Sequence, residues 1–163
     1  PPRGRARRRA RSGAHGNTGI IEAAFQPAED FHGSKLALFA GADLLVYRRD
    51  DRPGLPWPGY WDLPGGGREG VESPIACVRR ELFEEFSLDL PAGAICYARA
   101  YQPAPSTAWF FAAEVAPSFL DAVRFGSEGQ FWTRMAPQAF VTADDAPPPL
   151  KERLRACLAA LRR

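Results

Sequence analysis

Three glutamates are spaced so that they share one face of a helix. At about 100° per residue, Glu81, Glu84 and Glu85 fall within one narrow arc. Like charges at these spacings repel each other, so a helix keeps them either as a solvated surface or around a positive ion. Clustered carboxylate oxygens suit Mg²⁺ or Mn²⁺, and Mg²⁺ normally engages substrate phosphates as well. The cluster therefore predicts metal-assisted phosphate chemistry.

The residues around this cluster predict where the helix lies. The glycines of residues 63–67 allow positive φ and close approach of a ligand, and we expect this run to continue neither a strand nor a helix. Ser73 is a suitable N-cap, and Pro74 suits the first helical position because its missing N–H is not needed there. An apolar stripe then predicts a helix to about residue 86 that packs on a sheet. The stripe consists of Ile75, Val78, Leu82 and Phe86.

Residues 66–88 resemble the Nudix box. The family pattern is Gly, five residues, Glu, seven residues, then Arg-Glu-apolar-any-Glu-Glu-any-Gly-apolar, and eight of its nine constrained positions match. The matching residues are Gly66, Glu72, Arg80, Glu81, Leu82, Glu84, Glu85 and Leu88. Ser87 stands where the family has a glycine that leaves the helix in a left-handed conformation. This departure concerns the helix exit and removes no proposed ligand.

The resemblance to Nudix hydrolases implies a role for each box residue. It implies Mg²⁺, or alternatively Mn²⁺, as the cofactor. The implied ligands are the carbonyl of Gly66 and the carboxylates of Glu81, Glu84 and Glu85. Arg80 and Glu72 would orient these ligands. The general base stays open between Glu81 and Glu128.

Two stretches outside the box supply further candidates. Glu128 lies in Gly-Ser-Glu-Gly-Gln, which predicts a surface loop. Family members often bring another carboxylate to the metals from such a loop, and Glu-Gly-Gln resembles the branch that cleaves nucleoside triphosphates. Arg48 and Arg49 end an apolar run that the family places beside the phosphate site. They are either phosphate contacts or solvated charges of an edge strand.

Several aromatic residues have two interpretations. Trp57 and Tyr60, in a Pro/Gly-rich loop, either stack a base beside a pocket or fill the gap between helix and sheet. For Trp109, Phe110 and Phe111 the apolar strand pattern favours the core. Base stacking at these three positions is the weaker alternative.

The remaining pattern predicts the scaffold. Alternating strands and helices indicate an α/β fold, and the resemblance implies an α/β/α sandwich with a mixed β-sheet. The first two predicted strands form a hairpin, and the last two form a second antiparallel pair. The predicted elements are strands at residues 35–39, 44–49, 61–63, 94–101 and 108–115 and an amphipathic helix at residues 147–163.

Composition indicates one globular domain with a basic extension. Residues 1–18 contain six arginines and no acid, and their lack of apolar periodicity predicts a disordered tail. The tail is either an arm for nucleic acid or phosphate, or an extension without function; the lack of interleaved aromatics disfavours nucleic acid. Residues 19–163 are long enough for a single domain with its own core.

Apolar runs and cysteines bear on location and partners. No run approaches the roughly 18 to 20 apolar residues of a membrane span, so we expect no membrane partner. Cys77, Cys96 and Cys157 are odd in number and have no metal-type spacing, which favours reduced thiols and a cytoplasmic location. A homodimer is an open option, since many relatives are dimers.

The expected reaction is metal-dependent hydrolysis of the pyrophosphate bond in a nucleoside diphosphate linked to another moiety. The Glu128 loop favours a nucleoside triphosphate, oxidised or not, as this small-molecule substrate. ADP-ribose and dinucleoside polyphosphates are the alternatives. A module that binds a nucleotide without cleaving it is a further alternative. Such modules typically lose glutamates of the box, whereas this chain keeps all of them, which favours the enzyme.

Overall fold

A mixed β-sheet forms the centre of the protein. The computed structural model describes residues 30–103 and 106–163, so the predicted tail at residues 1–18 lies outside the described residues. Within them the sheet has seven strands along the path β3-β2-β1-β6-β5, with β4 paired to β1 and β7 paired to β2. The strands are β1 (Phe31–Ala40), β2 (Asp43–Arg48), β3 (Trp61–Asp62), β4 (Gly65–Gly67), β5 (Ile95–Tyr101), β6 (Thr107–Val115) and β7 (Phe131–Met135).

The predicted mixed sheet and the two antiparallel pairs are confirmed. β1 runs parallel to β6, whereas β1 and β2 form an antiparallel hairpin. β5 and β6 are antiparallel as well. The sheet thus joins two locally formed pairs through one parallel contact between residues far apart in the sequence.

Helices cover both faces of the sheet. They are α1 (Pro74–Phe86), α2 (Pro137–Thr142) and α3 (Pro148–Leu161), with a 3₁₀ helix at Pro117–Ala122. Leu36 and Leu38 of β1 lie in the core beneath α1, and Ala37 and Phe39 lie in the core beneath α2 and α3. This alternation along one strand produces the predicted α/β/α sandwich. No helix in the described ranges is long and apolar enough to cross a bilayer.

The prediction that residues 63–67 hold no strand was wrong. Gly65–Gly67 forms β4, which pairs antiparallel with residues 33–35 of β1. Glycine permits this pairing because the two backbones approach closely: a Cβ on Gly65 would overlap the carbonyl oxygen of Ser34. α2 and the 3₁₀ helix were not predicted either.

Both ends of α1 are capped. The Ser73 side chain accepts a hydrogen bond from the Ala76 N–H at 3.2 Å, as expected for an N-cap. At the other end Ser87 takes the left-handed conformation, φ 56° and ψ 29°, and its N–H donates to the Phe83 carbonyl at 2.8 Å. Serine therefore makes the same exit that glycine makes in the family pattern, at the cost of backbone strain.

Replacing Ser87 with glycine should stabilise the protein. Glycine adopts positive φ without the Cβ clash, which outweighs its greater entropy when unfolded, so we expect the free energy of unfolding to rise by about 0.5–1 kcal/mol. Urea denaturation measures the difference.

Ser87→Ala is the matched control, because alanine removes the hydroxyl but keeps the Cβ. It should leave the strain in place and give no increase in stability. A Ser87→Gly protein that unfolds at lower urea concentration than the wild type would contradict the assignment of strain to this residue.

Candidate active site

Helix α1 directs its acidic face into a cavity of about 290 Å³. The buried stripe of the helix packs on the sheet, which fixes the rotation of the helix and turns the glutamates toward the loop before β7. The cavity is lined by Glu69, Arg80, Glu81, Glu84, Glu85, Ser127 and Glu128. Glutamates that are 43 residues or more apart in sequence, those of α1 and Glu128, thus line one space.

Glu85 is the buried member of this group. Its residue is 7% exposed, and its Oε2 accepts a hydrogen bond from the Gly65 N–H at 2.9 Å. No Lys or Arg nitrogen of the described residues lies within 4 Å of this carboxylate. Burial raises the pKa of Glu85 to about 8, although the charge of Lys35 opposes the shift. A second positive charge at this carboxylate would therefore be strongly favoured.

Arg80 orders the more exposed carboxylates. Its Nη2 lies 2.9 Å from Glu72 Oε1, and its Nη1 lies 3.0 Å from Glu81 Oε1 and 2.9 Å from Glu84 Oε2. Nη2 also donates to the Gly67 carbonyl at 2.8 Å, which ties α1 to β4. The hydrogen bond from Arg80 lowers the pKa of Glu72. Both residues thus hold the positions expected of groups that orient the other glutamates.

Glu81 and Gly66 are in direct contact. A Cβ on Gly66 would lie 2.6 Å from Glu81 Oε1, so the carboxylate fills the space that any side chain at residue 66 would need. Burial raises the pKa of Glu81, and the hydrogen bond from Arg80 opposes this shift. The box glycine is therefore required by the position of the glutamate.

The donor set fits a hard divalent cation. Carboxylate and carbonyl oxygens are its preferred ligands, and Mg²⁺ retains several waters, so it does not require a complete protein cage. In residues 30–103 and 106–163 these carboxylates do not converge into a group of three. Their mutual repulsion and the pairing of Arg80 with Glu81 and Glu84 explain the separation.

The loop that carries Glu128 is fixed at both ends. The Gly126 N–H donates to the Glu85 carbonyl at 2.8 Å, and the Gln130 N–H donates to the Arg48 carbonyl at 2.8 Å. The Gln130 side-chain amide donates to the Arg49 carbonyl, also at 2.8 Å. Glu128 therefore projects from a short segment held between the end of α1 and the end of β2.

The two candidate arginines have different environments. Arg49 lines a second cavity together with Glu128, and it also lines a third, larger cavity beside Gly66. Arg48 instead pairs with Asp145 at 2.6 Å and lies over the Trp61 ring, 4.4 Å from its centroid. Arg49, which directly follows β2, therefore lies at the candidate site, whereas Arg48, the last residue of β2, lines none of the three cavities.

Sequence reasoning missed the network around Asp62. This carboxylate is 1% exposed, and its Oδ2 accepts from Lys35 at 2.9 Å, from Arg49 at 2.6 Å and from the Tyr47 hydroxyl at 3.2 Å. Lys35 also donates to the Gly65 carbonyl at 2.6 Å, and this hydrogen bond links its side chain to β4. A lysine within an apolar strand was the available signal, since a charge there needs a partner.

The larger cavity has a volume of about 350 Å³, and Gly66 is one of its lining residues. Trp57, 42% exposed, lines it with φ at 54°, and its ring centroid lies 5.3 Å from that of Tyr60. Trp57 thus stands beside a pocket, one of its two predicted alternatives. Phe110 and Phe111 are fully buried, as their strand pattern predicted. A strained, exposed indole at a cavity wall marks a place for a flat ligand.

The burial of Glu85 predicts how stability depends on pH when metal is removed. The folded state holds the Glu85 proton up to about pH 8, whereas the unfolded chain releases it near pH 4.5. The free energy of unfolding should therefore fall as the pH rises through this window, by on the order of 4 kcal/mol from this group. Urea denaturation in EDTA between pH 5 and pH 9 measures the loss.

Glu85→Gln should remove this part of the pH dependence and make the metal-free protein more stable than the wild type at pH 9. Glu84→Gln is the matched control: its carboxylate is on the same helix but exposed, so its pH dependence should follow the wild type. Identical slopes for Glu85→Gln and the wild type would contradict a raised pKa at Glu85.

Comparison with known proteins agrees with this geometry. The family model described as NUDIX domain matches residues 34–161. Among solved structures, a MutT protein from Methanosarcina mazei Go1 has a TM-score of 0.62 at 18% identity and covers 80% of this chain and 94% of its own. An Ap4A hydrolase from C. elegans, in a binary complex, has a TM-score of 0.63 at 19% identity, with coverages of 80% and 98%.

A third similar structure contains a second activity. It is a bifunctional NMN adenylyltransferase/ADP ribose pyrophosphatase from Francisella tularensis, with a TM-score of 0.58 at 12% identity. The match covers 88% of this chain but 45% of that one, so the likeness is to part of the larger protein. These identities establish a shared fold, and the family match over most of the chain establishes the family: the chain belongs to the Nudix hydrolases.

Proposed function

We propose that this Nudix pyrophosphohydrolase cleaves a nucleoside triphosphate between phosphates, with a divalent cation as cofactor. One observation carries the proposal: Gly66, which lines the larger cavity, lies directly against Glu81, which lines the acidic cavity. A nucleotide whose nucleoside occupies the larger cavity would pass its phosphates over β4 to the glutamates.

The residues that would hold the cation are Glu81, Glu84, Glu85, Glu128 and the carbonyl of Gly66. Mg²⁺ is our first choice and Mn²⁺ the alternative, since both are hard cations that accept oxygen ligands. When bound, such a cation neutralises phosphate charge and favours in-line attack by water on phosphorus.

The chain contributes a base and a positioning group. Glu81 or Glu128 would accept the proton of the attacking water at a carboxylate oxygen. We favour Glu81, because partial burial raises the pKa of its carboxyl. Arg80 holds Glu72, Glu81 and Glu84 in fixed positions through its ion pairs. Arg49 would bind phosphate from the larger cavity, where it is already oriented by Asp62.

The size of the larger cavity supports a single nucleoside. At about 350 Å³ it is near the lower limit of small-molecule sites. One nucleoside with its phosphates directed to the acidic cavity uses both spaces, whereas the second half of a dinucleoside polyphosphate would extend beyond them. Dinucleoside polyphosphates and ADP-ribose are the alternative substrates, since similar structures include an Ap4A hydrolase and an ADP ribose pyrophosphatase.

The retained glutamates also bear on whether the protein is an enzyme or a binding module. A module that only binds nucleotides is disfavoured because every glutamate of the box is retained, and Glu81, Glu84 and Glu85 line the cavity. We also propose a cytoplasmic location for the protein. The three cysteines are free thiols, which suits a reducing compartment.

Glu85→Gln should fold and lose turnover by orders of magnitude. The amide keeps the size of the side chain and its ability to accept from Gly65, but it removes the charge that the cation requires. Steady-state hydrolysis in Mg²⁺, with circular dichroism to confirm folding, measures the effect. Glu152→Gln is the control, because Glu152 is exposed on α3 outside all three cavities. Wild-type turnover by folded Glu85→Gln protein would refute the assignment.

A substrate panel tests the choice of nucleotide. Release of phosphate or pyrophosphate is measured from nucleoside triphosphates, ADP-ribose, sugar nucleotides and dinucleoside polyphosphates, each with Mg²⁺, with Mn²⁺ and with chelator. We expect the highest kcat/KM for a triphosphate and no turnover in chelator. Preference for another class would overturn the substrate, and nucleotide binding with no turnover in any arm would favour the binding module.

A further inference from the structure

One wall of the larger cavity cannot bind an anion through its backbone. The start of α3 contains Pro147, Pro148 and Pro149, none of which has an N–H. The next two N–H groups, those of Leu150 and Lys151, donate to the Pro147 carbonyl at 3.0 and 3.1 Å. The first turn of this helix therefore offers no free N–H to a phosphate. Together with Trp57 it forms an apolar wall suited to a flat ring.

Arg153 is the charged group of the same wall. It is half-buried, lines the cavity and lies over the Tyr101 ring, 5.0 Å from the centroid. Within residues 30–103 and 106–163 no carboxylate lies within 4 Å of its guanidinium, and its N–H groups make no hydrogen bond. Burial lowers the pKa of Arg153. Its hydrogen-bonding capacity is thus available to a ligand in the cavity.

The carboxylate of the cavity is already used. Asp62 is the one carboxylate among the described residues that line it, and its Oδ2 accepts from Lys35, Arg49 and Tyr47. Its Oδ1 accepts from the Leu63 N–H at 2.8 Å. The cavity therefore presents a donor, Arg153, to the ligand and no free carboxylate.

We propose that Arg153 selects nucleotides whose base carries an oxo group on the edge it presents, namely guanine, hypoxanthine or uracil, over the amino-bearing adenine and cytosine. This inference rests on the proposed function, because it concerns the substrate of the same site. With the phosphates directed to Gly66, the base reaches the wall formed by Trp57 and the prolines.

The selection follows from the chemistry of the guanidinium. Arginine has N–H donors and no acceptor, so it pairs with a base carbonyl oxygen: with O6 and the adjacent N7 of guanine or hypoxanthine, and with O4 alone of uracil. An exocyclic amino group in the same place is itself a donor, so it cannot accept a hydrogen bond from the Arg153 guanidinium. Because the guanidinium is partly shielded from water, an unpaired donor there is costly.

The test compares nucleotides that differ in this group: inosine against adenosine triphosphate, and uridine against cytidine triphosphate. We expect the wild-type kcat/KM to favour the oxo member of each pair by roughly tenfold. Arg153→Gln should bring each ratio close to one, because an amide both donates and accepts. Arg153→Lys, which only donates, should retain part of the preference and serves as a second variant if the glutamine protein unfolds.

Arg99 provides the matched control. Its guanidinium also lies over the Tyr101 ring, 5.1 Å from the centroid, but it is exposed and does not line the cavity. Arg99→Gln should therefore keep the wild-type ratios. Equal loss of preference in Arg99→Gln and Arg153→Gln would assign the effect to Tyr101 and overturn the role of Arg153.

Binding separates this inference from the proposed function. Dissociation constants for the same four nucleotides, from quenching of tryptophan fluorescence in EDTA, do not depend on turnover. An oxo preference in binding without hydrolysis of any nucleotide would overturn the hydrolase function and leave the inference standing. Hydrolysis with equal kcat/KM and equal affinity within each pair, or ratios unchanged in Arg153→Gln, would overturn the inference alone. No binding of any nucleotide in EDTA, together with no hydrolysis in Mg²⁺, would overturn both.

Discussion

The burial of the Glu85 carboxylate against β4 is the constraint on which the site depends. Glu85 accepts the Gly65 N–H, and this contact is possible because three glycines let β4 lie directly on β1. A carboxylate placed there loses hydration and gains no ion pair, so its charge is costly until a cation compensates it. The fold thus holds the proposed ligand Glu85 in an unfavourable state, which would favour the binding of a cation there.

Arg80 and Lys35 each form ion pairs with carboxylates next to β4. Arg80 pairs with the carboxylates on the exposed side of α1, and Lys35 pairs with Asp62 beneath β4. Both also donate to backbone carbonyls of β4, Arg80 to Gly67 and Lys35 to Gly65. The glycine strand is therefore held from two sides. Neutralising the outer glutamates with an arginine keeps them ordered without filling the buried position.

The local part of this arrangement could be predicted from the sequence, and the long-range part could not. α1, its caps and the shared face of its glutamates follow from the spacing of neighbouring residues, and Glu128 was found through a short motif. The pairing of β4 was missed because glycine disfavours strands on average, whereas here close backbone approach decides the structure. The side to which Arg48 and Arg49 point depends on the exact end of β2, and a shift of one residue exchanges them. Asp62 acquires its partners from β1, from β2 and from Arg49 after β2, and no local sequence pattern indicates these contacts.

The parallel pairing of β1 with β6 also has a consequence for synthesis of the protein. Residues 31–40 lie against residues 107–115, so the central pair of the sheet forms only after the box and all of β5 have been made. Contacts between such distant segments are slow to form, because a long loop must close first. During that interval the edge of β1 that will pair with β6 is open on the nascent chain. Chaperone capture or aggregation of this intermediate, rather than the stability of the finished fold, would then limit the yield of protein.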